Sequence, residues 1–448
     1  MSIDFKMKDF FYPFSILKFR NFLEKSQWFS LEEFIAYQEN RLQEIINHAY
    51  EHVPYYRDLF DKLKLKPSEI RVLDDLKKLP LLTKKDLRNN FNELQAKDMK
   101  EFNPKLIYTS GTSGDRLGFF VDKPSNILEF SYYWRHWSWA GYHLGDRFAE
   151  FSSSFFMKQK DEISNSLFYF SKFSNRLLLN SLSISKDNVE PYVNILKKYK
   201  PSFLKGLPSV LFYFSKFLKE KAILDLKFKA IFSQGEILLD SHKKFIENVF
   251  NCKVYNSYGH MERTVAICEC PYGGMHINPE YGVFETVDNV SSSEGYTGKV
   301  IGTSLHNFSM PLIRYEVGDY IEVEKGARCP CGREMSLVSK IHGRKEDVIV
   351  TKDGKVITTL FIVFNNVPGI EIGQIIQEDF DNLTIRIAVT NEYDKASEDI
   401  LLNYVRKFVG RDMSINIDQT SREKIKNGFG DKFRVVVSKI DTNTLLLK

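Results

Sequence analysis

The stretch YTSGTSGDRLGFF, Tyr108 to Phe120, sets Thr109, Ser110, Gly111, Thr112, Ser113 and Gly114 in an unbroken row between two apolar runs. Glycine lets the backbone take positive φ and approach a ligand closely, while hydroxyls and exposed N–H groups donate hydrogen bonds to phosphate oxygens. The loop therefore reads as a phosphate cradle. It is not a Walker A loop, because Asp115 follows Gly114 and no lysine appears until Lys123. Taken alone, a Ser/Thr/Gly cluster also reads as a surface turn, so the rest of the chain has to decide.

At 448 residues the chain exceeds one typical core, which implies two or three domains. Hydrophobic residues at 43% and charged residues at 27% are ordinary globular values, so disorder does not dominate. The 63 Lys and Arg against 58 Asp and Glu leave an excess of only +5 over the whole length. That argues against a nucleic-acid binder and leaves anionic small ligands open. No apolar run is long enough to span a bilayer and no signal peptide is legible, so the expected location is cytoplasmic. The opening DFKMKDFFYPFSILKFRNFL mixes aromatics with Lys and Arg. It fits peripheral contact with a membrane surface or docking on the protein body, with Pro13 interrupting it.

Ser30 with Glu33 makes a capping box, and the apolar positions Leu31, Phe34, Ile35, Leu42, Ile45, Ile46 and Ala49 recur at helical spacing up to Pro54. Thr83 with Asp86 marks a second helix start, so residues 1–100 are expected to be mainly helical. From about 105 to 345, β-rich runs such as KAIFSQG, CKVYNSYG and GKVIGTSL alternate with the helical EPYVNILKKYK and SVLFYFSKFLKEK. Alternation of this kind predicts a large α/β body. The segment EFSYYWRHWSWAGYHL, with Trp134, Trp137 and Trp139, reads either as a packed core helix or as the lining of an acyl pocket. Beyond 345, a DG turn and the helical NEYDKASEDILLNYVRKFV predict a small α+β domain.

Several short motifs carry chemistry. NSYGHMER places Asn256, Tyr258, Gly259 and Glu262 at the end of the strand CKVYN, where α/β sheets bind ligands, and a carboxylate there suits Mg²⁺ on phosphates. PLIRYEVGDY offers Arg314 and Asp319, the latter able to accept two ribose hydroxyls or to sit in an ordinary turn. IHGRKEDVIV places Arg344 among charged neighbours, either at a hinge or on a solvated face. The five cysteines are odd in number and clustered, which favours metal over a disulfide framework. Cys270, His276, Cys329 and Cys331 form a donor set suited to tetrahedral structural zinc, with Cys268 a rival to Cys270 and plain reduced thiols the alternative. Cys252 reads as core.

The order YTSGTSG, FSQGE, NSYGHME, RYEVGD, GRKED resembles the adenylate-forming superfamily of acyl-CoA synthetases, luciferases and nonribosomal adenylation domains. HAYEHVPYYRDLF, LPLLTKKDLR, FLKGLPS and TSLHNFSMPLIRY resemble its phenylacetate-CoA ligase branch, especially the CapK-like members associated with capsular polysaccharide genes. The resemblance runs from about residue 30 to 436 and implies a large N-terminal domain, 1–343, with a small mobile α+β lid, 344–448. It implies ATP, Mg²⁺ and CoA as ligands, with Thr109 to Gly114 around the β- and γ-phosphates. Gly235 and Glu236 are then expected beside adenine, Tyr258 stacked on it, Glu262 on Mg²⁺, Asp319 on the ribose and Arg344 at the nucleotide or hinge. Lys432, in KIKNGFGDKFRVVV, takes the place of the lid lysine, although the intruding Asp431 keeps Lys426 as a rival. Glu346 stands where relatives usually carry Asp, and Asp115-Arg116-Leu117 where they carry Lys-Pro or Thr-Pro.

The expected reaction is ATP-dependent activation of a carboxylate to an acyl-adenylate, then acyl transfer to CoA, in polysaccharide or secondary metabolism. The alternatives are transfer to an amine such as an amino sugar or amino acid, transfer of AMP itself to an acceptor, and noncatalytic nucleotide binding. A homodimer is compatible with the branch.

Overall fold

The computed structural model describes residues 12–108, 117–152, 155–156, 166–172, 175–181, 184, 186–291, 295–344, 349–350, 356–357, 363–364, 367–410, 412–427 and 436–440. They fall into two compact units, one drawn from 12–107, 118–317 and 322–340, the other including 318–321 and the described residues from 341 onward.

In the first unit the helices come first: α1 (Tyr12–Ser26), α2 (Leu31–His52), α3 (Pro54–Leu63) and α4 (Lys84–Asn89). Both expected caps form. Ser30 and Glu33 close a reciprocal box at α2, and Thr83 and Asp86 close another at α4. Each satisfies two backbone donors that the first helical turn leaves unpaired. Pro13 does not interrupt a helix. It lies in the first turn of α1, where a missing N–H costs nothing. That helix docks on α5 (Lys123–Trp139): Ser131 and Arg135 donate to the carbonyls of Ile16 and Leu23, and Leu23 joins a core with Leu128, Tyr132 and Tyr281.

Strands β1 (Lys105–Tyr108) and β2 (Gly118–Val121) pair and flank the hydroxyl-rich loop, whose residues 109–116 lie outside the described ones. Then follow β3 (Phe148–Phe151), β4 (Phe168–Ser171), β5 (Arg176–Leu179), α6 (Val189–Tyr199), β6 (Phe203–Gly206), α7 (Pro208–Glu220), β7 (Ala230–Gln234), α8 (Asp240–Phe250) and β8 (Lys253–Gly259). The chain continues through β9 (Ala266–Glu269), β10 (Met275–Ile277), β11 (Gly282–Ser291), β12 (Gly295–Ser304), β13 (Tyr315–Glu324) and β14 (Leu337–Arg344). They form a 12-stranded sheet in the order β11-β12-β13-β14-β10-β9-β8-β7-β6-β3-β5-β4.

The strands β5-β3-β6-β7-β8 are mutually parallel, so both faces must be covered, and the chain supplies apolar side chains to both. One face packs Leu204, Ile231 and Val254 against α6, α7 and α8. The other packs Phe148, Phe203, Phe232 and Tyr255 against Trp137, with Trp134 beside them, which makes α5 a core helix here. Cys252 is half-buried at the edge of the first of these cores.

The second unit carries the short hairpin β15 (Ile349–Val350) and β16 (Val356–Ile357), followed by β17 (Ile370–Gln377), β18 (Asn382–Val389), α9 (Lys395–Val409), β19 (Ser414–Gln419), α10 (Arg422–Asn427) and β20 (Val436–Ser438). Its four-stranded sheet runs β19-β18-β17-β20, and Ile375, Leu383 and Ile385 pack with Leu401 and Val405 of α9 into a core of its own. Among the described residues no helix is long and apolar enough to cross a membrane.

Candidate active site and metal centre

Register brings the carboxyl ends of three parallel strands side by side. Gly206 pairs with Ser233, and Ser233 with Asn256. Gly235 follows β7 at φ +88°, a conformation that costs a side chain strain, and a Cβ there would sit 2.9 Å from Leu207. Next to it, Glu236 accepts from the N–H and hydroxyl of Ser209 at 3.0 and 3.1 Å, at the start of α7. A carboxylate at that helix end is favoured by the helix dipole. Ser233 Oγ and Asn256 Oδ1, adjacent in register, are buried without a hydrogen-bond partner among the described residues, a combination that calls for a guest or water.

Tyr258 and Gly259 end β8, and the following turn presents Glu262, only 6% exposed. Tyr315 Oη donates to Glu262 Oε1 at 2.9 Å, and His260 Nδ1 lies 3.3 Å from Oε2. Burial opposes ionisation of Glu262, but the hydrogen bond and charge of His260 and the donors from backbone and Tyr315 outweigh it and hold the carboxyl at about 2. A buried, ionised carboxylate at the ends of parallel strands fits a divalent cation.

The other expected residues fare differently. Asp319 lies inside the continuous strand β13, next to Gly318 at φ +93°, and not in a turn between strands. Arg314 is a structural residue: it donates to the Leu79 carbonyl at 2.6 Å and pairs with Glu285 at 3.1 Å. Arg344 ends β14, with its side chain outside the described ones. Thr109 to Gly114, Glu346 and Lys432 lie outside the described residues, and Lys426 falls in α10 with only its backbone described. The sequence reading missed His260, Tyr315 and Ser209 as partners. The first two stand inside the quoted motifs NSYGHMER and PLIRYEVGDY, and that position was the available signal.

The cysteine cluster forms on tight turns. Between β9 and β10, Cys270 N donates to the Gly274 carbonyl at 2.9 Å and Gly273 N donates to the Cys270 carbonyl at 2.9 Å. In the second turn Gly332, at φ +80°, donates to the Cys329 carbonyl at 3.1 Å. These turns set Cys270 Sγ 3.5 Å from Cys329 Sγ and Cys331 Sγ 3.3 Å from His276 Nε2. All four donor atoms lie within 4.8 Å of one another, and none of the cysteines is in a disulfide. Burial holds the His276 imidazole down at about 4, so it is neutral and able to ligate at neutral pH. Three sulfurs and one imidazole fit tetrahedral zinc, with all four positions filled by protein. Cys268 faces the other way, its thiol donating to Tyr132 Oη at 2.8 Å, which removes it from the donor set.

A doubly covered parallel sheet whose loops carry these motifs, together with a separate small α/β unit, defines an adenylate-forming ligase fold. Accordingly, the solved structure of 2-hydroxyisobutyryl-CoA ligase with an acyl-AMP bound superposes with a TM-score of 0.72 over 94% of each chain, at 20% identity. The chain is 26% identical to protein CapK of Staphylococcus aureus over 90% of its length and 89% of the relative's. It is 24% identical to the phenylacetate-coenzyme A ligase of Pseudomonas putida over 76% and 77%. Residues 349–439 match the CapK C-terminal domain. The CapK-like resemblance, the α/β fold with its smaller C-terminal domain, and the expectation of an adenylate-forming ligase-type enzyme are thus borne out.

Proposed function

We propose that this chain activates a small organic acid with ATP, as acyl-AMP with release of pyrophosphate, and passes the acyl group to CoA. The observation that carries the reading is the ionised Glu262, buried at the carboxyl ends of β6–β8 and positioned by Tyr315 and His260. In this reading Glu262 would hold Mg²⁺, which would supply neutralisation of the charge on the departing pyrophosphate. Tyr258, Gly235 and Glu236 flank the purine, and Asp319 takes the ribose. Thr109 to Gly114 hold the phosphates through backbone N–H groups and hydroxyls, and Lys432 of the small unit steadies the charge that builds on the α-phosphoryl group. The names of the relatives, a phenylacetate ligase and a 2-hydroxyisobutyrate ligase, support a CoA acceptor. Zinc at Cys270, His276, Cys329 and Cys331 is structural, and the similarity to CapK supports a setting in surface polysaccharide assembly.

The test is a screen of many acids with ATP, Mg²⁺ and hydroxylamine, read by mass. One trapped hydroxamate, and thioester in its place when CoA is added, is the expected result. Pyrophosphate release with no thioester but with amide from an added amine replaces the acceptor. ATP binding without pyrophosphate release for any acid overturns the reading.

A further inference from the structure

Away from the strand ends, α2 finishes on two histidines one helical turn apart, His48 and His52, whose rings stack with centroids 4.8 Å apart. Helical spacing puts both on one face. That face meets Asp98: His52 Nδ1 lies 3.4 Å from Asp98 Oδ2, and His48 Nε2 lies 3.8 Å from Asp98 Oδ1. One donor atom from each of the three side chains falls within 4.8 Å of the other two. The frame does not depend on these side chains, because Lys97 N donates to the His52 carbonyl at 2.9 Å and Ala96 N to the Ser309 carbonyl at 3.0 Å.

Two features point beyond an ion pair. Asp98 Oδ1 is buried and makes no hydrogen bond among the described residues, although an oxygen withdrawn from water normally accepts one. Each imidazole also has an acceptor near its Nε2: the Phe308 carbonyl at 2.9 Å for His48, and Glu51 Oε2 at 3.8 Å for His52. Glu51 thus sits on the outer nitrogen of His52, opposite the one that faces Asp98, whereas His48 turns its Nε2 toward both Asp98 and the Phe308 carbonyl. Outer partners of this kind orient imidazoles that bind metal. Phe102 and Phe308 stack on each other at 5.3 Å and both meet the His48 ring edge-on, which keeps water from that side. The His52 side chain stays 38% exposed and leaves a way in.

We infer that His48, His52 and Asp98 bind a divalent transition-metal ion, with Zn²⁺ the best fit. Two imidazole nitrogens and one carboxylate select Zn²⁺, Co²⁺ or Ni²⁺ over Mg²⁺ and Ca²⁺. Three protein ligands leave the remaining positions to water, unlike the closed set at the cysteines. The ion ties the end of α2 to the segment that carries Asp98.

The experiment is zinc stoichiometry of the full-length protein after dialysis at buffered micromolar free Zn²⁺, by elemental analysis, with thermal unfolding measured alongside. Wild type is expected to hold one more equivalent than His52→Ala or Asp98→Asn. Cys331→Ser, which lies in the cysteine cluster, is expected to keep that equivalent. Without zinc, His52→Ala and wild type should unfold together, and only wild type should gain on addition of the second equivalent. Equal stoichiometry in wild type, His52→Ala and Asp98→Asn overturns the inference, and so does a zinc-dependent shift of equal size in all three.

Discussion

The Glu262 cluster and the cysteine cluster are both buried and polar, yet they are satisfied in opposite ways. Glu262 has donors from its own chain, Tyr315 and His260, and stays ionised before any guest arrives. The cysteine cluster has three sulfurs and an imidazole that chiefly face one another, with burial pushing the Cys329 thiol up to about 12. An organised carboxylate is poised for chemistry and would gain little stability from a cation, whereas the thiols would need an ion to be worth burying. The first region should therefore respond in rate and the second in stability.

The sharpest way to break this contrast is metal removal. If zinc saturates the cysteines at about 1,000 times its dissociation constant, it contributes about 4 kcal/mol to folding. A strong chelator, or Cys329→Ser, should then lower the thermal midpoint by several degrees while ATP binding survives in the protein that remains folded. Calorimetry with and without chelator checks this, and an unmoved midpoint removes the structural role.

The reverse experiment is Glu262→Gln. It keeps the side chain's shape and the Tyr315 contact but removes the charge, so pyrophosphate release with the activated acid should fall by roughly 10²–10³. Lys432→Ala should fall by a similar factor, with substrate affinity changing less in both. A Glu262→Gln protein with wild-type turnover assigns the cation to another group. One that unfolds instead makes Glu262 a structural residue, and the contrast collapses.

Much of this was legible in the sequence wherever the governing forces are local. The boxes at Ser30–Glu33 and Thr83–Asp86 span three residues, so side-chain reach alone decides them. The alternation of strand and helix likewise announced the α/β body. Contacts between distant segments were not legible: Tyr315 meets Glu262 across 53 positions, and only sheet register brings them together. The choice between Cys268 and Cys270 was open for a similar reason. His276 pairs in register with Cys268, yet the turn after β9 swings Cys270 to the ligand side and leaves Cys268 against Tyr132. The Trp-rich helix was ambiguous because apolar residues look alike whether they meet a substrate or a sheet, and the stacked Phe148, Phe203 and Phe232 decided it. Thr109 to Gly114 and Lys432, the two segments on which the family reading leans hardest, lie outside the described residues.

The smallest effect is the finest test of the contrast. Tyr315→Phe removes one hydrogen bond to a buried, charged carboxylate and should cost about 1.5–3 kcal/mol at neutral pH. The sign of its pH dependence follows from Glu262. Burial raises the pKa, but His260 and the other donors lower it more, from 4.5 to about 2, so the folded state favours the ionised form. The stability this confers is fully present above about pH 4.5 and is lost as pH falls toward 2. Without the Tyr315 hydroxyl the ionised form loses support and the carboxyl titrates at higher pH. The gap between variant and wild type should thus be widest near neutrality and close on acidification, read from urea midpoints over that range. A gap that stays constant means the hydroxyl acts through packing, and then His260 alone keeps Glu262 charged.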